Sequence, residues 1–140
     1  MSLKVQCNCS NINWDNVAQT LKLVGMASYV PEIHKKAFEN SHTAVFVFDD
    51  EKLVGFGRAI SDGTYQAALY DLAILPAYQG RGIGRMIVST IKDLLPNCNI
   101  ILYAAPGKEG FYEKLDFRKM KTGMGLFCNA ANMRNRGFIE

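Results

Sequence analysis

Asp71-Leu-Ala-Ile-Leu-Pro-Ala-Tyr-Gln-Gly-Arg-Gly-Ile-Gly-Arg-Met-Ile-Val-Ser-Thr-Ile91 strings together an apolar strand, a turn at Pro76, a glycine-rich loop and an amphipathic helix. The loop, Gln79 to Gly84, opens directly into the helix. Backbone N–H groups at a helix start lack intrahelical partners, and the helix dipole adds partial positive charge there. Gly80, Gly82 and Gly84 let an anion approach the backbone without Cβ obstruction. Arg81 and Arg85 add permanent charge beside it. This order of elements builds a site for a phosphorylated ligand.

Three readings of the loop compete. A P-loop requires Lys-Ser/Thr after its last glycine, and none follows Gly84. The dinucleotide fingerprint G-x-G-x-x-G fails in both registers, because Arg85 and Ile87 occupy the third glycine position. Asp93 comes too early to be its acidic partner and sits inside the helix pattern. The third reading, Q/R-x-x-G-x-G/A, matches Gln79-Gly-Arg-Gly-Ile-Gly84 at every defined position. Downstream, Phe111-Tyr-Glu-Lys-Leu-Asp-Phe117 is similar to a second family segment, FY-E-K-L-G-F. From about Leu53 to Phe127 the chain therefore resembles the GCN5-related N-acetyltransferase superfamily. Tyr70-Asp-Leu-Ala-Ile-Leu-Pro76 and Gly123-Met-Gly-Leu-Phe127 are similar to its aralkylamine-type members.

A chain of 140 residues is expected to form a single domain, residues 1–140, with a proper core. The composition, 49% hydrophobic and 21% charged, is that of a folded protein. The net charge of +3 suits an anionic ligand, yet no basic block or stripe points to nucleic acid. No apolar run reaches membrane-span length and no signal pattern opens the chain, so the expected location is the cytoplasm. Cys7-Asn-Cys9 is spaced too tightly for a zinc knuckle, and Cys98, Cys128, His34 and His42 do not complete one. Free thiols and no metal are expected.

Along the chain, residues 4–9 read as a strand. Trp14, Val17, Ala18, Leu21 and Val24 recur at helical spacing, with Gly25 as the stop. Pro31 opens a second helix carrying Ile33, Ala37 and Phe38 inward, with Glu32 and Lys36 paired on its wet side. Thr43–Phe48, Leu53–Ile60 and Tyr65–Leu75 form a meander, the last strand apolar on both faces and hence central. The helix after the loop presents Ile83, Ile87, Ile91 and Leu94 on one stripe and ends before Pro96. Asn99–Ala104 is a buried strand and Gly110–Leu115 a short helix, with Asp116 in the left-handed exit position usually held by glycine. One or two strands lie in Phe117–Phe127, and the tail Cys128–Glu140 has no clear period. The fold class is α/β: a mixed, mostly antiparallel sheet of six to seven strands with about four helices on both faces.

The resemblance implies acetyl transfer from acetyl-CoA to a primary amine of a small molecule, by direct attack in a ternary complex. It places the pyrophosphate on Gln79, Gly80, Arg81, Gly82, Ile83, Gly84 and Arg85. It places the thioester beside the strand at Ile74 and Leu72, with a backbone N–H of that strand as oxyanion donor and pantetheine paired along its edge. Tyr112 would contact the coenzyme sulfur and protonate the departing thiolate. A phenol of pKa about 10 is matched closely enough to a thiol of about 8.5. Asp71, the one carboxylate inside an apolar strand, is either a base or cation anchor for the amine, or a structural Asp bonded to backbone at a bulge. His34 is a second base candidate on a helix that leans to the surface. Met26, Tyr29, Phe38 and Tyr65 are candidates for an acceptor pocket. The family's coenzyme-contacting Asn is replaced here by Ala105, with Lys108 nearby to reach a phosphate. Acetylation of a peptide amine, a non-catalytic acyl-CoA-binding module, and a homodimer remain open alternatives.

Overall fold

Thr43-Ala-Val-Phe-Val-Phe-Asp49 is rich in β-branched and aromatic residues and forms a strand whose first five residues are all buried. Burial on consecutive residues means that both faces of the strand are covered. The computed structural model describes residues 1–140 and shows what covers them. In chain order the elements are β1 (Leu3–Gln6), α1 (Trp14–Leu23), α2 (Pro31–Glu39), β2 (Thr43–Asp49), β3 (Lys52–Ser61), β4 (Gln66–Ile74), α3 (Ile83–Leu94), β5 (Asn99–Ile101), α4 (Glu109–Glu113) and α5 (Ala130–Asn135). The strands form one sheet in the order β1-β2-β3-β4-β5. Its pairs are antiparallel except β4 with β5, which is parallel.

The chain divides into two compact units, Met1–Leu102 and Tyr103–Glu140. The first holds the sheet with α1, α2 and α3. Phe46 and Phe56 point to one face, where their rings pack with Phe38 of α2 at 5.6 and 5.8 Å, and Trp14 of α1 lies 6.0 Å from Phe46. Residues alternate across a strand, so Gly55 and Gly57 point to the opposite face. There a Cβ on Gly57 would come within 3.1 Å of Ile87 Cγ2 and 3.3 Å of Leu72 Cδ1, so glycine lets α3 lie close on the sheet. Helices thus cover both faces. Each fully buried Phe or Ile of these two layers contributes about 1.5–3 kcal/mol of transfer free energy.

Several expectations need adjusting. The sheet has five strands, because Phe117–Phe127 forms none: glycines at 123 and 125 weaken a strand there, and Met124 and Leu126 lie fully in solvent. The strand expected to be central, β4, is only partly buried, because its outer neighbour β5 is three residues long; β3 occupies the centre. Leu94 is exposed on α3, and Val88 and Leu95 are buried in its stead. On α2 the inward face is His34 and Phe38, while Ile33 is half exposed, and the surface ion pair is Lys35–Glu39 at 3.0 Å. The second unit contains α4 and α5. Asp116, just after α4, takes φ +71°, the left-handed exit anticipated for it.

Candidate active site

The open edge of β4 comes first. β4 and β5 pair only at Gln66–Asn99, Ala67–Ile100 and Ala68–Ile101, so Leu69 to Ile74 have no strand beside them on that edge. On the inner edge, Leu75 N–H donates to Val54 O at 2.9 Å. Alternation then turns the N–H and C=O of Ile74 outward, to the unpaired edge. The Ile74 carbonyl is taken by the Gln79 side chain, whose Nε2 donates to it at 3.0 Å. Gln79 therefore ties the glycine loop to the strand, and the Ile74 N–H stays turned to the open side.

The loop itself is shaped by backbone sign. Gly80 and Gly82 have φ of +78° and +83°, a region that L side chains rarely adopt. Gly82 is the N-cap of α3 and supplies no capping side chain. The first bond of the helix is Met86 N–H to Gly82 O at 3.0 Å, so the amides of Ile83, Gly84 and Arg85 project from its start. Arg81 lies over the Tyr78 ring at 5.3 Å, with Lys52 at 5.5 Å from the same ring. The Tyr78 hydroxyl donates to Asp49 Oδ2 at 2.7 Å, and Ser2 N–H donates to Asp49 Oδ1 at 2.9 Å. These two bonds, the Ser2 amide first, hold the Asp49 carboxyl below its usual range and fasten the turn before the loop to the sheet.

Asp71 sits at a β-bulge. Phe56 pairs with Ala73 and Arg58 with Tyr70, which leaves Asp71 and Leu72 together opposite Gly57. Asp71 takes φ +55°, the left-handed conformation that glycine usually holds at such a bulge. Its Oδ2 accepts from Arg58 Nε at 2.7 Å. The Asp71 side chain is 23% exposed, so it remains within reach of a solute.

His34 is not the surface residue its helix suggested. It is buried, and its Nε2 accepts the Tyr29 N–H at 2.9 Å, which places the neutral ring's proton on Nδ1. An Nε2 so occupied cannot serve as a base. Burial lowers the His34 pKa, opposed by the charge of Asp71 and aided by that of Arg58. The unfolded residue thus binds a proton more readily than the folded one, and stability falls as pH drops below the ordinary histidine value of about 6.5. In thermal melts from pH 7.5 to 5, His34→Gln, which still accepts through Oε1 but does not titrate, should show a shallower acid decline than the parent. Equal slopes would remove His34 from the acid response.

In the second unit, Tyr112 of α4 is half-buried between Phe111 and Phe117, with ring centroids at 5.0 and 5.8 Å. Burial raises its pKa, which keeps the phenol protonated through neutral pH. Of the other pocket candidates, Phe38 belongs to the core, Met26 packs against it, and Tyr29 and Tyr65 are exposed.

A family model described as an acetyltransferase (GNAT) domain matches residues 40–119, more than half of the chain. The chain belongs to the GNAT superfamily. It is 33% identical, over 84% of its own length and 72% of the other's, to a protein of Pyropia yezoensis named uncharacterized N-acetyltransferase ycf52. Over 46% of this chain and 34% of the other it is 40% identical to a chloroplastic serotonin N-acetyltransferase 2 of Oryza sativa subsp. japonica. A crystal structure of a GNAT-family acetyltransferase from Xanthomonas campestris superimposes with a TM-score of 0.80 at 21% identity, covering 91% of this chain and 94% of that one.

This GNAT chain is accordingly an acetyl-CoA-dependent N-acetyltransferase. Its residues are compatible with an anionic co-substrate: an open left-handed loop and three projecting amides stand at the start of α3, with two arginines in the same stretch. The structure gathers Leu72, Ile74 and Gln79 to Arg85 at one end of β4, and puts Asp71 on the same strand. Two features escaped the sequence reading. Arg58 is the one cation within the apolar run from Leu53 to Ile60 of β3, a signal that could have singled it out. The buried place of His34 has no sequence signal. No helix of the chain is long and apolar enough to cross a membrane.

Proposed function

We propose that the enzyme acetylates the primary amine of a small molecule by direct attack within a ternary complex. Acetyl-CoA, when bound, supplies the activated acetyl group. Amides 83–85 with Gly80, Arg81 and Gly82 hold its diphosphate, and Gln79 keeps that loop fixed to Ile74. The Ile74 N–H donates to the oxygen on which negative charge develops, and Leu72 lies beside the same edge. Tyr112 gives its proton to the departing thiolate. Asp71, with Oδ2 held by Arg58, meets the ammonium of the acceptor and directs its proton away, directly or through water. An amine of ordinary pKa is almost wholly protonated at neutral pH, so this step is required.

One observation carries the reading. The Ile74 N–H faces an edge with no strand neighbour, and the anion-ready start of α3 follows nine residues later. Similarity to the rice serotonin acetyltransferase, together with Tyr70–Pro76 and Gly123–Phe127, favours an arylalkylamine acceptor. The test is thiol release from acetyl-CoA over a panel of arylalkylamines, polyamines, amino sugars and a lysine peptide. Turnover with arylalkylamines above the rest is expected. Turnover confined to the peptide would reassign the acceptor, and acetyl-CoA binding without turnover on any amine would leave a binding module.

A further inference from the structure

Arg58 has a setting that acyl transfer alone does not explain. Its side chain is 15% exposed and lies over the rings of Phe38 and Tyr70 at 5.6 and 5.4 Å. Nε donates to Asp71 Oδ2 at 2.7 Å, while Nη1 donates to Ser41 Oγ at 3.2 Å. Ser41 in turn donates to Ala37 O at the end of α2, at 2.8 Å. One guanidinium therefore links the helix layer, β3 and the bulged residue of β4. Only a planar fork can donate along two directions while it stacks on aromatic faces.

Asp71 is the residue that needs such a link. Asp tolerates the left-handed region better than most residues, but inside a strand that conformation interrupts the ladder and persists only where the surroundings hold it. A bulge bends its strand and re-aims the residues beyond it, here Leu72, Ala73 and Ile74. Relaxing Asp71 into the extended region would remove the bulge and shift the register by one residue. A one-residue slip turns each subsequent amide to the opposite edge, and the Ile74 N–H would then face β3 and not the open side.

We infer that Arg58 is a positioning residue for acyl transfer, clamping Asp71 and thereby the bulge that sets the outward aim of the Ile74 amide. The inference rests on the acetyltransferase reading and adds to it a residue that touches neither substrate. Arg58 acts through Asp71, so its effect should appear in turnover, in the local order of β4 and more weakly at the Gln79 anchor, while the helical start of α3 stays intact.

Two measurements test this. In Arg58→Met, which keeps the apolar stem, the amides of Ala73 and Leu75, which face β3 in the parent, should exchange with deuterium about tenfold faster, with α3 protection unchanged. In amine turnover, Arg58→Met should lower kcat about tenfold, with a smaller rise in the acetyl-CoA Kd, within about threefold, from the loosened Gln79–Ile74 bond. Combined with Asp71→Asn it should cost no more than Asp71→Asn alone, as expected for residues acting as a unit. Arg58→Lys should recover only part of the loss, because an ammonium cannot reproduce the fork. Should Arg58→Met not fold, Arg58→Gln goes through the same measurements. Unchanged β4 exchange overturns the clamp, as does a double variant whose losses multiply. A parent enzyme that turns over no amine defeats the acetyltransferase reading instead, and the exchange measurement still decides the clamp.

Discussion

Tyr112→Phe should lower kcat by about a hundredfold while the acetyl-CoA Kd stays within about twofold. The substitution removes one oxygen and keeps the ring, so the packing against Phe111 and Phe117 is retained and folding should be unaffected. On the proposed mechanism, the loss is that of a proton donor for a thiolate leaving group. The thiolate would then depart as an anion with no proton donor, which makes it a poorer leaving group. The direction of the Tyr112 pKa adds a second check. Burial raises it, so the acid form persists across the neutral range, and the parent should show no alkaline fall in kcat until above the ordinary tyrosine value of about 10. Activity that declines with a midpoint near neutrality in the parent and not in Tyr112→Phe would contradict that direction. Unchanged kcat in the variant would remove Tyr112 from the reaction. Steady-state kinetics across pH, with calorimetry for the coenzyme, separates these outcomes.

The parts of the site that were legible in the sequence are those encoded locally. A glycine loop before a helix has its chemistry in neighbouring residues, and a Cβ built on Gly80 or Gly82 meets no protein atom within 4 Å, in keeping with the open approach read from the sequence. The Asp116 exit is local in the same sense. Register and layer contacts were not legible. Arg58 and Asp71 stand thirteen residues apart, and their pairing requires the β3–β4 register with its bulge. The two readings of Asp71 meet in the structure without being separated by it. It does occupy a bulge, as the structural reading held, but its partner is a guanidinium and part of its side chain is open to solvent. On α2 a hydrophobicity ranking puts Ile33 inside and His34 out. Tertiary context reverses this, because the imidazole satisfies the Tyr29 amide where an isoleucine would leave it bare. The strands expected in Phe117–Phe127 fail for a related reason. Met124 and Leu126 alternate with glycines that disfavour a strand, and neither side chain finds a surface to bury against.

Gly82→Val should weaken acetyl-CoA binding by about a hundredfold, equivalent to about 3 kcal/mol. Two costs combine. Gly82 holds φ +83°, and a β-branched residue in that region is strained by about 1–3 kcal/mol. The chain can relieve the strain only by rotating the N-cap, which moves the amides of Ile83, Gly84 and Arg85 away from a common point. The second cost is obstruction. A Cβ at Gly82 meets no protein atom within 4 Å, so the side chain would stand in the open space from which an anion approaches. Gly82→Asn separates the two, because Asn tolerates the left-handed region. If strain dominates, Asn should restore most of the affinity; if obstruction dominates, it should bind as poorly as Val. Binding that survives both substitutions would place the diphosphate elsewhere. Titration calorimetry with CoA, acetyl-CoA and inorganic pyrophosphate reads the effect at the site itself, since all three carry the diphosphate and should lose affinity together.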